Sequence, residues 1–298
     1  MLGANIGELA ALGTALCWTI VGITFESAGK KVGSLSVNYI RLIFGFIFIS
    51  LYAFLTRGLI FPVDANSSNW IWLSISGFIG FFLGDMFLFQ AYVEIGSRIS
   101  SLIMAASPPI AALLGYLLLK ERLRPISILG MGITIIGIAI VILSKDTDEK
   151  KVKVNHSIKG LVYAVLGAVG QSIGLILSKV GMGDYNPLAA TQIRIITGFI
   201  SFTVLFIVLK KFGELKIALK DRNAMKTIAF GSFFGPFIGV TLSLLSLQYT
   251  SAGISSTITS ITPITIIPFS IMIFKEKIKP KEILGAIVSV VGVGLLFL

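Results

Sequence analysis

Long apolar runs separated by short polar connections dominate the sequence. Each is long enough to cross the hydrocarbon core of a bilayer, which takes about 20 residues of helix. The ten runs lie at residues 7–27, 35–56, 70–92, 98–119, 125–144, 158–179, 187–209, 224–248, 252–274 and 281–298. The connections are too short to hold a soluble domain. The pattern therefore predicts an all-α integral membrane protein with ten transmembrane helices.

The fourth and ninth runs contain prolines, at Pro108 and Pro109 and at Pro263 and Pro268. An interior proline lacks one N–H donor and clashes with the carbonyl four residues earlier. Such a break is tolerated in a membrane where neighbours or a water-filled cavity satisfy the freed carbonyls. Broken helices at corresponding places in two halves indicate the central site of a transporter. These four prolines predict helix breaks beside a binding site.

An internal repeat with an offset of about 155 residues covers almost the whole chain. Residues 40–46, around Arg41, match residues 193–199, around Arg194, and glycines at 80, 84, 130 and 137 recur at 235, 239, 285 and 292. Each copy holds five predicted helices, and five is odd, so the second copy crosses the membrane upside down. We expect two inverted repeats, at residues 1–144 and 157–298, around a central cavity, with a charged linker at 145–156.

Composition agrees with the membrane class, because 55% of residues are hydrophobic and only 13% are charged. The net charge of +11 lies in the short loops, as in membrane proteins, so no nucleic-acid partner is expected. Loops after odd-numbered helices hold 18 of the 25 lysines and arginines, which by the positive-inside rule places both termini outside. The single cysteine excludes an intrachain disulfide.

The paired five-helix halves, the arginine in the second helix of each half, the proline-containing helices and the Lys-Glu-x-x-x-Pro turns ending at Pro125 and Pro280 resemble the EamA family of the drug/metabolite transporter superfamily. The resemblance implies a ten-helix basket around one cavity, with helices five and ten set apart. It implies cytoplasmic termini, opposite to the charge distribution. It also implies export of amino acids, related metabolites or drug-like compounds across the cell (inner) membrane.

Asp85 is the sharpest candidate for function. It lies well inside the third predicted helix, and intramembrane carboxylates usually face a cavity or a partner. Phe78, Phe81, Phe89 and Tyr92 are spaced to share its face. A carboxylate among aromatic rings suits a cationic substrate group or a proton. The alternative is a carboxylate, protonated or paired with arginine, that only holds helices together.

Arg41 and Arg194 are repeat mates, so one explanation must serve both. They suit bidentate binding of a carboxylate or phosphate. The alternative is an interfacial anchor, or a partner of Asp85 or Glu26, within snorkelling distance of the helix end. Their polar neighbours, Asn38 and Gln192, share these alternatives.

Further candidates are uncharged. Trp18 and Gln171 correspond in the repeat and would face the cavity in the arrangement that the resemblance implies. Gln90, Thr259 and Thr262 lie within helices, where most hydroxyl groups bond to their own backbone. We interpret Glu26 as a solvated helix end and Glu276 as locally paired in its basic turn.

No Gly-rich phosphate loop, zinc motif or nucleophile elbow is present, so neither an ATP-driven pump nor an enzyme is predicted, and no cofactor or metal is expected. The sequence favours a secondary transporter of small metabolites that works by alternating access. The alternatives are a transporter of phosphorylated or lipid-linked metabolites that uses the two arginines, and a membrane scaffold without transport. The expected partners are a small-molecule substrate, the lipid bilayer and, through the glycine-rich fifth and tenth helices, a second copy of the chain.

Overall fold

The computed structural model describes residues 6–119, 124–142, 157–250, 252–276 and 278–296, and every regular element in them is helical. The expected linker at 145–156 and most of the first Lys-Glu turn, at residues 120–123, lie outside these ranges. In chain order the helices are α1 Ile6–Val32, α2 Ser34–Arg57, α3 Ser67–Ser76, α4 Asp85–Met104, α5 Ser107–Leu119, α6 Pro125–Ile142, α7 Ile158–Met182, α8 Pro187–Leu209, α9 Phe212–Lys220, α10 Arg222–Ser232, α11 Val240–Tyr249, α12 Ala252–Thr259, α13 Thr262–Phe274 and α14 Pro280–Leu296.

Within the described ranges, seven helical segments are long and apolar enough to cross a membrane. They are Ile6–Val32, Ser34–Arg57, Ser67–Met104, Pro125–Ile142, Ile158–Met182, Pro187–Leu209 and Arg222–Tyr249. Their outward faces carry exposed large apolar side chains such as Leu55, Val208 and Ile136. In water such a surface would cause aggregation, whereas in lipid it is the expected exterior. The chain is therefore a multi-pass membrane protein.

Two wide helical turns of the π type separate α3 from α4 and α10 from α11. They span Gly77–Gly84 and Phe233–Gly239, and the backbone N–H groups of Asp85 and Val240 bond to carbonyls five residues earlier. The first is rich in glycine and the second contains Pro236, which weakens ordinary helical bonding there. Segments of this type often lie at functional sites. The first of the two ends directly before Asp85, the first residue of α4.

Inside α4, Gly96 forms a turn that kinks the helix between the third and fourth predicted helices. Gly96 has φ of +81°, in the left-handed region that favours glycine. The next residue, Ser97, donates its backbone N–H to Glu26 Oε2 at 2.6 Å. Glu26 is fully buried and also pairs with Lys30. The interpretation of Glu26 as a solvated helix end is wrong, because its carboxylate satisfies the donor that this turn leaves free.

The helix breaks lie just before the prolines. The α4 helix ends at Met104 and α5 begins at Ser107, so that Pro108 and Pro109 occupy the first turn of α5. In the same way Pro263 lies in the first turn of α13. A proline is tolerated there because the missing N–H would have no partner in the helix.

Pro268 does not break its helix. It lies inside the continuous α13, with its ring on the exposed side. The expected break at this position is absent, so the cost of Pro268 is the N–H donor that the carbonyl of Ile264 lacks.

Glycines set the closest helix contacts. A Cβ atom added at Gly170 would lie 2.7 Å from the Cα of Gly84, and one at Gly174 would lie 2.8 Å from the Cα of Gly80. The backbone of α7 therefore rests directly on the first π segment. Similarly, α6 and α14 pack on each other, with a Cβ at Gly292 only 2.8 Å from the carbonyl oxygen of Gly130. Small residues allow this approach in membrane helices.

Candidate functional site

A cavity of about 200 Å³ lies in the middle of the helices. On the same measure one water molecule needs only about 10–15 Å³, so the space suits a small organic molecule. Its walls come from α1, α2, α4, α5, α7, α8, α11, α12, α13 and both π segments, and α6 and α14 contribute no residue to it. Both helix breaks face it, through Pro108 and Pro263.

Asp85 lies at the cavity wall and is 6% exposed. Its Oδ2 accepts a hydrogen bond from the guanidinium of Arg41 at 2.5 Å, and its Oδ1 accepts one from the amide of Gln171 at 2.5 Å. The Gln171 amide also donates, at 3.2 Å, to the carbonyl of Gly80 in the first π segment. The carboxylate is therefore held from α2 on one side and from α7 on the other.

Arg41 is held as firmly as its carboxylate partner. Its Nε donates to Asn38 Oδ1 at 3.0 Å and its Nη2 to the carbonyl of Phe81 at 3.2 Å. Asn38 in turn donates to the carbonyl of Asp85 at 3.2 Å. Arg41 is 3% exposed and lines the cavity. The anchor interpretation does not fit Arg41, and the interpretation as a partner of Asp85 does.

Arg194 also lines the cavity, at 4% exposure, but in a different way. Its guanidinium lies over the ring of Phe81, 4.4 Å from the ring centroid. Its buried Nε has no hydrogen-bond partner, and it forms no ion pair within the described residues. The backbone of Arg194 packs on Gly77, where an added Cβ would meet its carbonyl oxygen at 2.6 Å. The two repeat-mate arginines thus have different surroundings.

The aromatic face expected around Asp85 forms in part. Phe81, Phe89 and Tyr92 line the cavity, and Phe25 joins them from α1, with its ring centroid 5.0 Å from that of Phe89. Phe78 is 44% exposed and lies on the outside. Its placement on the Asp85 face is wrong, because the wider π turn between the two residues shifts the spacing that an ordinary α-helix would give.

The remaining candidates divide between the cavity wall and contacts between helices elsewhere. Trp18, Gln171, Thr259 and Thr262 line the cavity, and the hydroxyl of Thr262 donates to the carbonyl of Thr259 at the helix break, at 2.8 Å. Gln90 and Gln192 do not contact it. These two side chains connect helices elsewhere: Gln90 accepts from Ser34 Oγ, and Gln192 donates to Ser50 Oγ and to the carbonyl of Ile60.

A cluster of charges at the end of the molecule where α1 finishes was not foreseen. Arg98 donates to Glu276 Oε2 at 2.7 Å and to Glu282 Oε2 at 2.5 Å. We name these three residues the Arg98 cluster. The interpretation of Glu276 as locally paired is wrong, because its partner lies 178 positions away in sequence. Sequence spacing gave no signal for this contact, since only folding brings the Gly96 turn beside α13 and α14.

Small polar residues of the cavity wall were also missed, namely Ser101, Ser107, Ser243 and Ser256. Serine is common on both packed and open helix faces, so only position reveals which face is open. In the part of the chain that the structure describes, no three His, Cys, Asp or Glu residues lie close enough to hold a metal ion.

These features define a polytopic helical membrane protein with a central cavity that contains buried charged side chains. The sequence profile of the EamA-like transporter family matches residues 5–143 and 158–298. The chain belongs to this family and is a membrane transporter.

Named relatives agree. An uncharacterized transporter of Synechocystis sp. is 25% identical over 87% of this chain and 80% of its own length. One of Archaeoglobus fulgidus is 23% identical over 97% of each chain. A solved crystal structure superposes with a TM-score of 0.66 at 16% identity, covering 97% of this chain and 95% of its own, which supports the fold alone.

Proposed function

We propose that this protein is a secondary transporter that moves small metabolites, such as amino acids or drug-like compounds, out of the cell by alternating access in the cell (inner) membrane. The observation that carries the proposal is the central cavity, which joins buried charged groups to two broken helices. Such breaks surround the binding sites of many secondary transporters. The direction of transport follows the resemblance of the sequence.

The architecture in this proposal has ten membrane-spanning passages in two inverted halves, residues 1–144 and 157–298. Three kinds of repeated feature support it. Each half has one π segment, at Gly77–Gly84 and Phe233–Gly239. Each has one proline-initiated break and one glycine-rich last helix that packs on its counterpart, α6 on α14.

The Arg98 cluster is the proposed closed gate. The side chains of Arg98 and Glu282 are 11% and 9% exposed, and they connect the turn at Gly96 to the start of α14. Beside them Glu26 connects α1 to the same turn. Ion pairs that join separate helices at one end of a cavity must separate when that end opens, so they stabilise the closed conformation specifically.

Arg98→Ala is expected to open this end more often. Removing the shared cation leaves two carboxylates facing each other in the closed state only, so the open state gains population. Ser101, which lines the cavity near this end, provides the reporter: a Ser101→Cys variant in a Cys17→Ser background is labelled with a membrane-impermeant thiol reagent. We expect Arg98→Ala to speed labelling from the Arg98 side by about 10-fold, which corresponds to about 1.4 kcal/mol.

Arg57→Ala is the matched control, because Arg57 pairs with Asp64 in the loop after α2, at the other end of the molecule. It should leave the labelling rate from the Arg98 side unchanged. An equal rate in Arg98→Ala and the parent would show that the cluster does not gate the cavity.

Solute flux tests the transport function itself. Proteoliposomes loaded with a defined mixture of amino acids, small carboxylic acids, amines and phosphate esters are followed by mass spectrometry of the external buffer. We expect protein-dependent loss of one class of solute. If every solute leaves the proteoliposomes no faster than it leaves loaded liposomes without protein, the scaffold alternative replaces the proposal.

A further inference from the structure

We infer that the cavity binds the carboxylate of a small, otherwise apolar monoanion at Arg194; this names a substrate class and rests on the transport function proposed above. The starting point is an unpartnered cation. Arg194 is 4% exposed, lines the cavity and, within the described residues, has neither a hydrogen-bond acceptor for its Nε nor an ion pair. A buried cation without a partner is costly, and a bound anion removes that cost.

Asp85 attracts Arg194 through its charge but, within the described residues, forms neither an ion pair nor a hydrogen bond with it. One carboxylate oxygen is bound by Arg41 and the other by Gln171, each at 2.5 Å. The charged side chains that line the cavity are then two arginines and one aspartate, a surplus of one positive charge. A cationic substrate would have to displace Arg41 from Asp85 and would add to the surplus. This charge balance favours an anionic substrate group over the cationic group expected at Asp85.

The size of the surplus distinguishes between anions. A carboxylate carries one negative charge, which matches the single unpaired arginine. A phosphate monoester carries about 1.5 to 2 negative charges at neutral pH and would need a second cation. The other arginine of the cavity is already bound to Asp85, Asn38 and the carbonyl of Phe81. Arg194 alone therefore fits a monocarboxylate better than a phosphate ester.

The rest of the wall determines what the carboxylate is attached to. One face of the Arg194 guanidinium is covered by Phe81, so its edge remains for the anion. The cavity wall also contains apolar side chains, including Trp18, Phe25, Phe89 and Pro236, alongside serine and threonine hydroxyl groups. An apolar body placed there gains hydrophobic contact, and an aromatic ring gains ring–ring contact as well. The inferred ligand combines one carboxylate with such a body.

Four probes with one phenyl ring and different polar groups test the inference: phenylacetate, its neutral amide phenylacetamide, the cation phenethylamine, and phenyl phosphate. Each is titrated into the purified full-length protein at constant ionic strength, and the melting temperature is followed, since a ligand that binds the folded state raises it. We expect phenylacetate to bind most tightly. Because charge-assisted bonds to a buried anion are lost, Arg194→Gln should weaken its binding by roughly 10- to 100-fold.

Arg194→Lys should retain part of the binding, because the charge remains and only the forked geometry is lost. Arg222→Gln, which removes an exposed arginine at the start of α10, is the matched control and should bind phenylacetate like the wild type. Folding of each variant is checked by its melting temperature without ligand.

Three results would overturn the inference: phenylacetate gives no shift that depends on Arg194, phenethylamine binds more tightly than phenylacetate, or phenyl phosphate does so through Arg194. The flux assay separates this inference from the transport proposal. Arg194-dependent binding of phenylacetate without any solute flux leaves the carboxylate site standing and removes the transport function. Flux that is equal in wild type and Arg194→Gln leaves the transport function standing and removes the carboxylate site.

Discussion

Asp85→Asn is expected to destabilise the protein strongly and to abolish transport. The substitution keeps a group of the same shape but leaves the guanidinium of Arg41 buried without its carboxylate. Removing one partner of a buried ion pair typically costs about 3–5 kcal/mol. The cavity surplus rises from one positive charge to two, so the arrangement that presents a single free arginine to substrate is also lost. Thermal unfolding in detergent measures the first effect, and solute flux per folded protein measures the second.

The double variant Arg41→Gln/Asp85→Asn distinguishes a paired role from an independent one. It removes both charges, so no unpaired ion is left, and it should be more stable than either single variant. Asp184→Asn is the matched control, because Asp184 is an exposed loop acid, and it should change neither property. If Asp85→Asn melts like the wild type, the ion pair with Arg41 contributes nothing to stability and Asp85 acts by itself.

Gly174→Leu is expected to remove most of the folded protein. A Cβ at this position would lie 2.8 Å from the Cα of Gly80, which belongs to the backbone of the first π segment and cannot rotate away. Overpacking against movable side chains costs about 1–3 kcal/mol, and overpacking against fixed backbone should exceed about 3 kcal/mol. The monodisperse fraction after detergent extraction and its melting temperature measure the loss.

Gly132→Leu is the control, because a Cβ at Gly132 in α6 meets nothing within 4 Å. The same change of residue should be tolerated there, and the higher helix propensity of leucine favours it. A Gly174→Leu protein with normal yield and melting temperature would mean that α7 and the π segment are further apart than the structure indicates. The same contact positions Gln171 against Asp85, so this helix pair also builds the site.

Much of the candidate site was predictable because a bilayer makes charge conspicuous. Asp85, Arg41 and Arg194 stand out in apolar segments, since any ionisable group there must face a cavity or a partner. All three line the cavity, as do Trp18, Gln171, Thr259 and Thr262. Glutamine in an apolar helix is less informative. The side chain of Gln171 reaches Asp85 at the cavity, whereas those of Gln90 and Gln192 only connect neighbouring helices.

The sequence by itself determined the class of protein and the approximate bounds of its helices, because lipid requires long apolar helices and tolerates prolines only at breaks. It also singled out the two arginines. Only the tertiary structure decided that they differ, with Arg41 bound to Asp85 and Arg194 forming no ion pair in the part of the chain that the structure describes. Ion pairing depends on atoms brought together from α2, α4 and α8, and the wide π turn before Asp85 sets which of them meet. Neither the distances nor that turn can be inferred from residue spacing.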